Sequence, residues 1–141
     1  MANYQKILLA VDLSDDSAEV ADRAQAITRN NDGELHIIHV IEPLSFAYGG
    51  DIPMDFSGIQ DEIHQQAVTQ LDRFAEARDL GEDRRHVVLG QPEVEIHALA
   101  EELSADLIVV GSHGRYGLAL LMGSTANGVL HGATCDVLAV R

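Results

Sequence analysis

The residues best suited to chemistry lie together between positions 106 and 125, where glycines and hydroxyls follow a short apolar run. The run, residues 107–110, does not alternate with polar residues, which is typical of a parallel strand covered on both faces. Glycines follow at Gly111, Gly114 and Gly117. Because glycine accepts positive φ angles and carries no side chain, these positions let a ligand approach the main chain closely.

A Gly-Ser-Thr sequence at Gly123, Ser124 and Thr125 then begins the last predicted helix. Free backbone N–H groups and the positive end of the helix dipole favour an anion at such a point, with two hydroxyls beside them. We therefore hypothesise that this stretch binds the phosphates of a nucleotide. The alternative is structural, since glycines after a strand also form tight turns and either hydroxyl can cap a helix.

Two common phosphate fingerprints are absent from the sequence. There is no G-x-x-x-x-G-K-S/T, and the only lysine, Lys6, lies at the first apolar run, so the lysine of a P-loop is missing. No G-x-G-x-x-G follows that run, which argues against a dinucleotide site. A hydrolase is not supported either, because there is no G-x-S-x-G and Cys135 lies in a predicted strand, away from the crevice. We expect Cys135 to pack as a small apolar residue.

Efficient phosphoryl transfer is not predicted, since no positioned base or arginine finger is evident. His113 is the one candidate base near the glycines, and Arg115 is a candidate phosphate contact. For both we prefer the simpler interpretation. His113 then only follows the end of the strand, and Arg115 is an exposed surface arginine. We expect no enzyme activity beyond, at most, slow ATP hydrolysis.

Composition limits the class of protein. The 141 residues are expected to form one domain, residues 1–141, and the net charge of −14 argues against nucleic acid and acidic membranes as partners. The same charge opposes ATP, so we expect a divalent cation to accompany it. A solvated surface is the simpler explanation of the acidity. No signal peptide or membrane span is predicted and the one cysteine cannot form an internal disulfide, so we expect a cytoplasmic protein.

Apolar runs alternate with helical patterns along the chain. Strands are predicted at 6–12, 34–42, 86–89, 107–110 and 135–140, and helices from Ser14 or Ser17 to about 29, from 59 to about 80 with Gly81 as the stop, from 92 to about 103, and at 124–131. This alternation predicts an α/β fold of Rossmann-like type. Right-handed crossovers would give a doubly wound, open parallel sheet of five strands in the order 3-2-1-4-5.

This topology brings the first and fourth strands to one crevice at their carboxyl ends. Asp12, at the end of the first strand, is placed to meet a ribose hydroxyl or a metal ion, although a turn carboxylate is the alternative. The backbone of Val40, near the end of the second strand, can contact an adenine edge. His36 and His39 fall on opposite faces of that strand and cannot chelate one metal together, so we interpret both as structural.

Two further segments point to partners. Residues 43–57 form a long loop, which is a flap, a partner surface or a loop folded on its own aromatic residues. The last strand is a short apolar edge, which favours pairing with the same strand of a second copy in a homodimer.

Four motifs resemble the universal stress protein (UspA) family over the whole chain. They are K-I-L-L-A-V-D-L-S from Lys6, H-V-I-E from His39, D-L-I-V-V-G-S-H-G-R from Asp106, and G-S-T-A-N-G-V-L-H-G-A-T-C-D-V-L-A-V-R from Gly123. The resemblance implies a fold like that of the adenine-nucleotide alpha hydrolases and dimerisation through the last strand. In one branch of the family it also implies ATP bound with Mg²⁺ or Mn²⁺.

The ATP motif of that branch is similar to G-x2-G-x9-G-S/T. The resemblance implies phosphate contacts at Gly111, Gly114, Gly123, Ser124 and Thr125, ribose contacts at Ala10 and Asp12, and an adenine contact at Val40. This chain has eight residues, not nine, between its second and third motif glycines, so the phosphate loop is one residue shorter. Another branch lacks the glycines and does not bind ATP, whereas this chain keeps them all.

The expected function is that of a homodimeric stress-response regulator or sensor that binds ATP. The alternative is a dimeric stress protein that binds no nucleotide and acts by binding other proteins, with residues 43–57 as one candidate surface.

Overall fold

The computed structural model describes residues 4–43, 57–111 and 124–141, and for residues 57 and 124–126 it describes the backbone alone. The strands are β1 (Lys6–Ala10), β2 (Glu34–Ile41), β3 (Arg85–Leu89), β4 (Leu107–Gly111) and β5 (Asp136–Val140). The helices are α1 (Ser17–Asn31), α2 (Ser57–Glu76), α3 (Pro92–Leu103) and α4 (Ser124–Gly132), and a 3-10 turn, Glu82–Arg84, precedes β3. The elements follow one another in the predicted order.

The strands form one parallel sheet in the order β3-β2-β1-β4-β5, which confirms the predicted α/β fold and strand order. β1 lies at the centre, where Leu9 pairs with Ile37 of β2 and with Val109 of β4. β2 and β3 lie on one side of β1, whereas β4 and β5 lie on its other side. The carboxyl ends of β1 and β4 therefore flank the switch point, where ligands bind in open α/β sheets.

Apolar side chains bury both faces of the sheet. One face packs against α1 and α2, and its buried members include Ile7, Leu9, Val20, Ile37, Leu71 and Val109. The other face packs against α3 and α4, and its buried members include Leu8, Ile38, Ile96, Ile108 and Val129. Burying a side chain of this size contributes about 1.5–3 kcal/mol. Because both faces are covered, the strands have continuous apolar runs and not an alternating pattern.

The predicted caps of α1 were wrong at its start. The residue before the helix is Asp16, which makes no side-chain capping bond, and the Ser17 hydroxyl donates instead to Asp12 at 3.1 Å. At the other end the prediction of a left-handed closing residue is confirmed, because Asp32 has a φ of 53°.

The predicted end of α2 was also wrong. The helix ends at Glu76 and not near Leu80, and Asp79 takes a left-handed φ of 61°. The Leu80 N–H donates to the Ala75 carbonyl at 3.0 Å, and the Leu80 side chain is buried. The Arg85 guanidinium donates to the Leu80 carbonyl at 2.9 and 2.7 Å. Tertiary contacts of Leu80, and not Gly81, therefore determine how this segment leaves the helix.

Candidate functional site

The carboxyl ends of the three central strands lie next to one another. Ala10 is the last residue of β1, Gly111 is the last residue of β4, and Val40 is the penultimate residue of β2. β1 lies between the other two, and its end pairs with β2 at Ile38. The side chains of Ala10 and Val40 are partly buried against the core on the α3 and α4 face, so their main chains are the parts left to contact a ligand.

The main chain of β2 continues beyond the end of β1. The Val11 N–H donates to the Ile38 carbonyl at 3.0 Å, whereas the Ile41 carbonyl, three residues on, accepts from Gly90 after β3 at 2.9 Å. Main-chain polar groups point alternately to the two sides of a strand, so those of Val40 point the same way as those of Ile38. They therefore face the side of β1, past its last residue.

Asp12 lies in the turn that follows β1. Its Oδ1 accepts a hydrogen bond from the Ser14 N–H at 3.0 Å and one from the Ser17 hydroxyl at 3.1 Å, while Leu13 takes a φ of 62°. A carboxylate bound to the N–H two residues on forms an Asx turn. These bonds are those of a turn carboxylate, the alternative considered for Asp12. The contact of Asp12 with ribose stays a prediction.

His39 fixes the segment before Asp12. Its buried ring lies on β2, and its Nδ1 donates to the Val11 carbonyl at 2.9 Å. Together with the bond from the Val11 N–H to Ile38, this contact holds both polar groups of Val11. His36 lies on the opposite face of β2, where its ring is bonded to Glu34 and His86. Both histidines make the structural contacts expected from the sequence.

Gly111 corrects one expectation of the glycine pattern. Among the described residues, positive φ occurs at Leu13, Asp32, Asp79, Gly90 and Ser104. Gly111 does not share it, because the residue is still part of β4 and pairs with Val140. The nearest described atom to an added Cβ would be Cγ2 of Val20 at 3.4 Å, an ordinary contact. Neither φ nor packing among the described residues requires a glycine here.

The remaining phosphate contacts depend on residues that the structure describes in part. Gly114, Gly117 and Gly123 lie outside the described residues, as do His113 and Arg115 and most of the 43–57 loop. Ser124 and Thr125 are the first residues of α4, so the predicted helix start is confirmed.

Glycines hold α4 against α3, a contact that the sequence analysis did not foresee. A Cβ added at Gly128 would lie 3.0 Å from Cβ of Glu93, and one at Gly132 would lie 2.9 Å from Nε2 of His97. The G-V-L-H-G spacing that produces this close contact was visible in the sequence but was not used. By packing tightly on α3, the two glycines fix where the start of α4 lies.

An open depression of about 370 Å³ lies beside the end of β2. It is lined by Glu42, Gln91, Pro92 and Glu93. Two carboxylates among these residues make it unsuited to a phosphate and better suited to neutral or positively charged groups that donate hydrogen bonds. Glu93, interpreted from the sequence as complementing the dipole of α3, therefore also lines a surface at the carboxyl edge of the sheet.

The described residues contain no group of three or more histidine, cysteine, aspartate or glutamate side chains suited to a metal ion. Cys135 is a free, partly buried thiol that packs on the α3 and α4 face of the core. Burial raises the pKa of the Cys135 thiol, and the charges of Asp136 and Asp106 raise it further. It therefore packs as an apolar residue, as the sequence predicted, and is a poor nucleophile.

The model of the family described as "Universal stress protein family" matches residues 3–141. The chain belongs to the universal stress protein family. The resemblance found in the four sequence motifs is thereby confirmed.

Individual universal stress proteins agree with this assignment. Universal stress protein A homolog 1 of Coxiella burnetii is 43% identical over 140 residues, which cover 98% of this chain and 96% of that protein. The structure of UspA from Lactobacillus plantarum has a TM-score of 0.73 at 21% identity, covers 100% of both chains, and supports the fold alone. A universal stress protein in complex with cAMP is 28% identical with a TM-score of 0.65, covering 99% of this chain and 98% of its own.

Among the described helices of this universal stress protein, none is both long enough and apolar enough to cross a bilayer. Of the nucleotide-contact residues expected from the sequence, the structure describes Ala10, Asp12, Val40 and Gly111, and the backbone of Ser124 and Thr125. Gly114 and Gly123 lie outside the described residues.

Proposed function

We propose that this universal stress protein binds an adenine nucleotide, ATP, at the carboxyl ends of β1, β2 and β4, and that it acts as a cytoplasmic regulator or sensor of stress. The observation that carries the proposal is the direction of the Val40 main chain. Its N–H and C=O face the space past the end of β1, where an adenine edge could bond to them, and Asp12 follows that same end.

Gly111 supports the same site from the other side of β1. Neither its φ nor its packing among the described residues requires a glycine, and the missing side chain leaves the main chain open to close approach by a ligand. The complex of a related universal stress protein with cAMP supports the choice of an adenine nucleotide.

We propose Mg²⁺ or Mn²⁺ as the companion of ATP, because a chain of net charge −14 repels a free triphosphate. The described residues fit the nucleoside end of the ligand, through the Asp12 carboxylate and the Val40 main chain. When bound, the cation would neutralise the phosphates. We assign no catalytic residue, and we propose that ATP is bound with at most slow hydrolysis.

We propose that the protein forms a homodimer through β5. This strand is last in the sheet order, beside β4, and its apolar residues Val137, Leu138 and Ala139 are only partly buried. A second copy added along this edge would continue the sheet.

Binding is tested by calorimetric titration with ATP and Mg²⁺, together with mass spectrometry of nucleotide released from freshly purified protein. We expect Gly123→Val to abolish binding, because a side chain there blocks the approach of phosphate to the main chain. Gly58→Val is the matched control, because an added Cβ at Gly58 has no described neighbour within 4 Å. Absence of both released nucleotide and heat for the unmodified protein would contradict the proposal.

That outcome would favour the second candidate, a dimeric stress protein that acts by binding other proteins. The observation in its favour is the exposure of two apolar side chains beside the depression at β2. Leu89 is 47% exposed and Val94 is 54% exposed, and in the sequence they lie on either side of Gln91, Pro92 and Glu93, which line it. A partner could cover these two side chains without any nucleotide.

A further inference from the structure

Four ionisable side chains form a cluster where β3 joins β2, near the amino end of β2 and away from the proposed nucleotide site. Glu34 and His36 belong to β2, Arg84 belongs to the 3-10 turn, and His86 belongs to β3. We call these residues the β3 cluster. β3 is the last strand on this side of the sheet, and its residues are only partly buried or exposed.

The β3 cluster is a continuous chain of polar contacts. Nδ1 of His36 lies 3.2 Å from Nε2 of His86, with the ring centroids 5.4 Å apart and the ring planes inclined by 29°. Nε2 of His36 lies 2.8 Å from Oε2 of Glu34. The other oxygen of Glu34 lies 3.2 Å from Nη2 of Arg84. The chain therefore ties β3 and the turn before it to β2.

The contact between the two rings limits how many protons the pair can hold. A neutral His36 that donates to Glu34 carries its proton on Nε2, so its Nδ1 accepts from the Nε2–H of His86. One added proton can be held, because a charged His36 then donates to a bare Nε2 of His86. A second added proton places two N–H donors against each other at the 3.2 Å contact, with a positive charge on each ring.

The surroundings of His86 oppose that second proton. Burial lowers the pKa of His86, and the charge of His36 lowers it further, whereas Glu102 on α3 and Asp83 in the turn raise it. Glu34 is held ionised, since the hydrogen bond from His36 lowers the pKa of its carboxyl group, assisted by the charges of Arg84, His36 and Lys6 on β1. Arg85, the neighbour of His86 on β3, binds the Leu80 carbonyl and lies within 3.3 Å of Asp72 and 3.8 Å of Glu76 on α2.

We propose that the His36–His86 contact is an acid-sensitive latch for β3. Near neutral pH the hydrogen bond between the His36 and His86 rings holds β3 and the 3-10 turn to β2. When acid charges both rings, repulsion between the facing N–H groups opens the contact and loosens β3 while the central strands stay paired. Edge strands with little buried area are the segments that open at low free-energy cost.

The direction of the pH effect follows from the lowered pKa of His86. As pH falls through the ordinary histidine range, the unfolded chain takes up this proton before the folded chain does. The contribution to stability is therefore fully present above the ordinary histidine pKa. It is lost as pH falls toward the lowered pKa of the folded state.

The test compares urea unfolding of the unmodified chain, His86→Gln and His131→Gln at about pH 7.5 and about pH 5.5, which bracket the ordinary histidine pKa. Glutamine can still bond to His36 but takes up no proton. His131 is exposed on α4 and serves as the control. Between about pH 7.5 and about pH 5.5 the folding equilibrium constant should fall in the unmodified chain and in His131→Gln. We expect this fall to be at least about threefold larger than the fall in His86→Gln.

Two measurements on the unmodified chain keep the proposal testable if His86→Gln does not fold. In an NMR titration the His86 ring should titrate below the ordinary histidine pKa, because burial and the charge of His36 lower the pKa of His86. Amide exchange, corrected for its intrinsic pH dependence, should accelerate on acidification in residues 82–89 and not in residues 107–111. Equal losses in all three proteins, a His86 ring that titrates at or above the ordinary histidine pKa, or uniform exchange would each overturn the proposal.

Discussion

Asp12 shows how one side chain combines a structural role with a proposed binding role. Its carboxylate holds the turn after β1 through Ser14 and Ser17, and that turn begins α1. His39 and Ile38 fix the preceding residue, Val11. The described turn of the proposed site is therefore held by contacts within the protein, which would lower the entropic cost of binding a ligand there.

Asp12→Asn separates these roles. Asparagine keeps Oδ1 as an acceptor for Ser14 and Ser17, so the turn and the thermal stability should be retained. Loss of the charged acceptor should weaken ATP binding about tenfold, as expected for a hydrogen bond to an ionised group. Calorimetry checks this, with Asp15→Asn, an exposed carboxylate of the same turn, as the control for net charge. Equal affinities for the two variants would show that Asp12 does not contact the nucleotide.

The sequence predicted the position of Asp12 but not its partners. An apolar run that ends in a carboxylate places Asp12 at the edge of the sheet whatever its bonds are. Whether Ser17 caps α1 or binds Asp12 depends on the path of the turn between them. That path follows from the left-handed φ of Leu13, a residue whose type does not predict such a conformation.

At the scale of the elements, β1 is locked between its neighbours by contacts at both ends. At its amino end the Asp106 carboxylate accepts from the N–H groups of Gln5 and Lys6 at 2.9 and 3.1 Å. Close by, Gly33 lets the chain enter β2 directly beside β1. A Cβ added there would lie 2.6 Å from the Tyr4 carbonyl oxygen and 3.2 Å from that of Gln5.

Gly33→Ala should therefore destabilise the protein by about 1–3 kcal/mol, because a backbone carbonyl must move to admit the methyl group. Urea unfolding measures the change. Gly58→Ala is the matched control, since an added Cβ at Gly58 has no described neighbour within 4 Å and alanine favours a helix. The account of β1 is wrong if both substitutions have the same effect on the free energy of unfolding.

Strands and their order were predictable because their signal is local and repeated. Continuous apolar runs that alternate with helical patterns permit few topologies, and right-handed crossovers select among them. Helix ends were less predictable. The end of α2 depends on Leu80, whose burial and whose carbonyl bonds to Arg85 arise from the folded core and not from Gly81 nearby.

At the scale of the whole molecule, the negative net charge opposes the proposed binding of a triphosphate. A net charge of −14 repels a triphosphate, and Glu42 and Glu93 add carboxylates beside the proposed adenine end. The proposed binding would then rest on main-chain groups at strand ends and on a divalent cation. The sequence shows the charge and the glycines, but not which main-chain groups are left to bind a ligand, because that depends on where each strand stops pairing.

The central claim is most directly tested by an NMR titration of backbone amides with ATP and Mg²⁺. The account predicts concentrated shifts at residues 10–13, at Val40, at Gly111 and at the start of α4, with residues 85–88 of β3 unchanged. No shift at millimolar ligand, or shifts confined to residues away from the carboxyl ends of β1, β2 and β4, would contradict it.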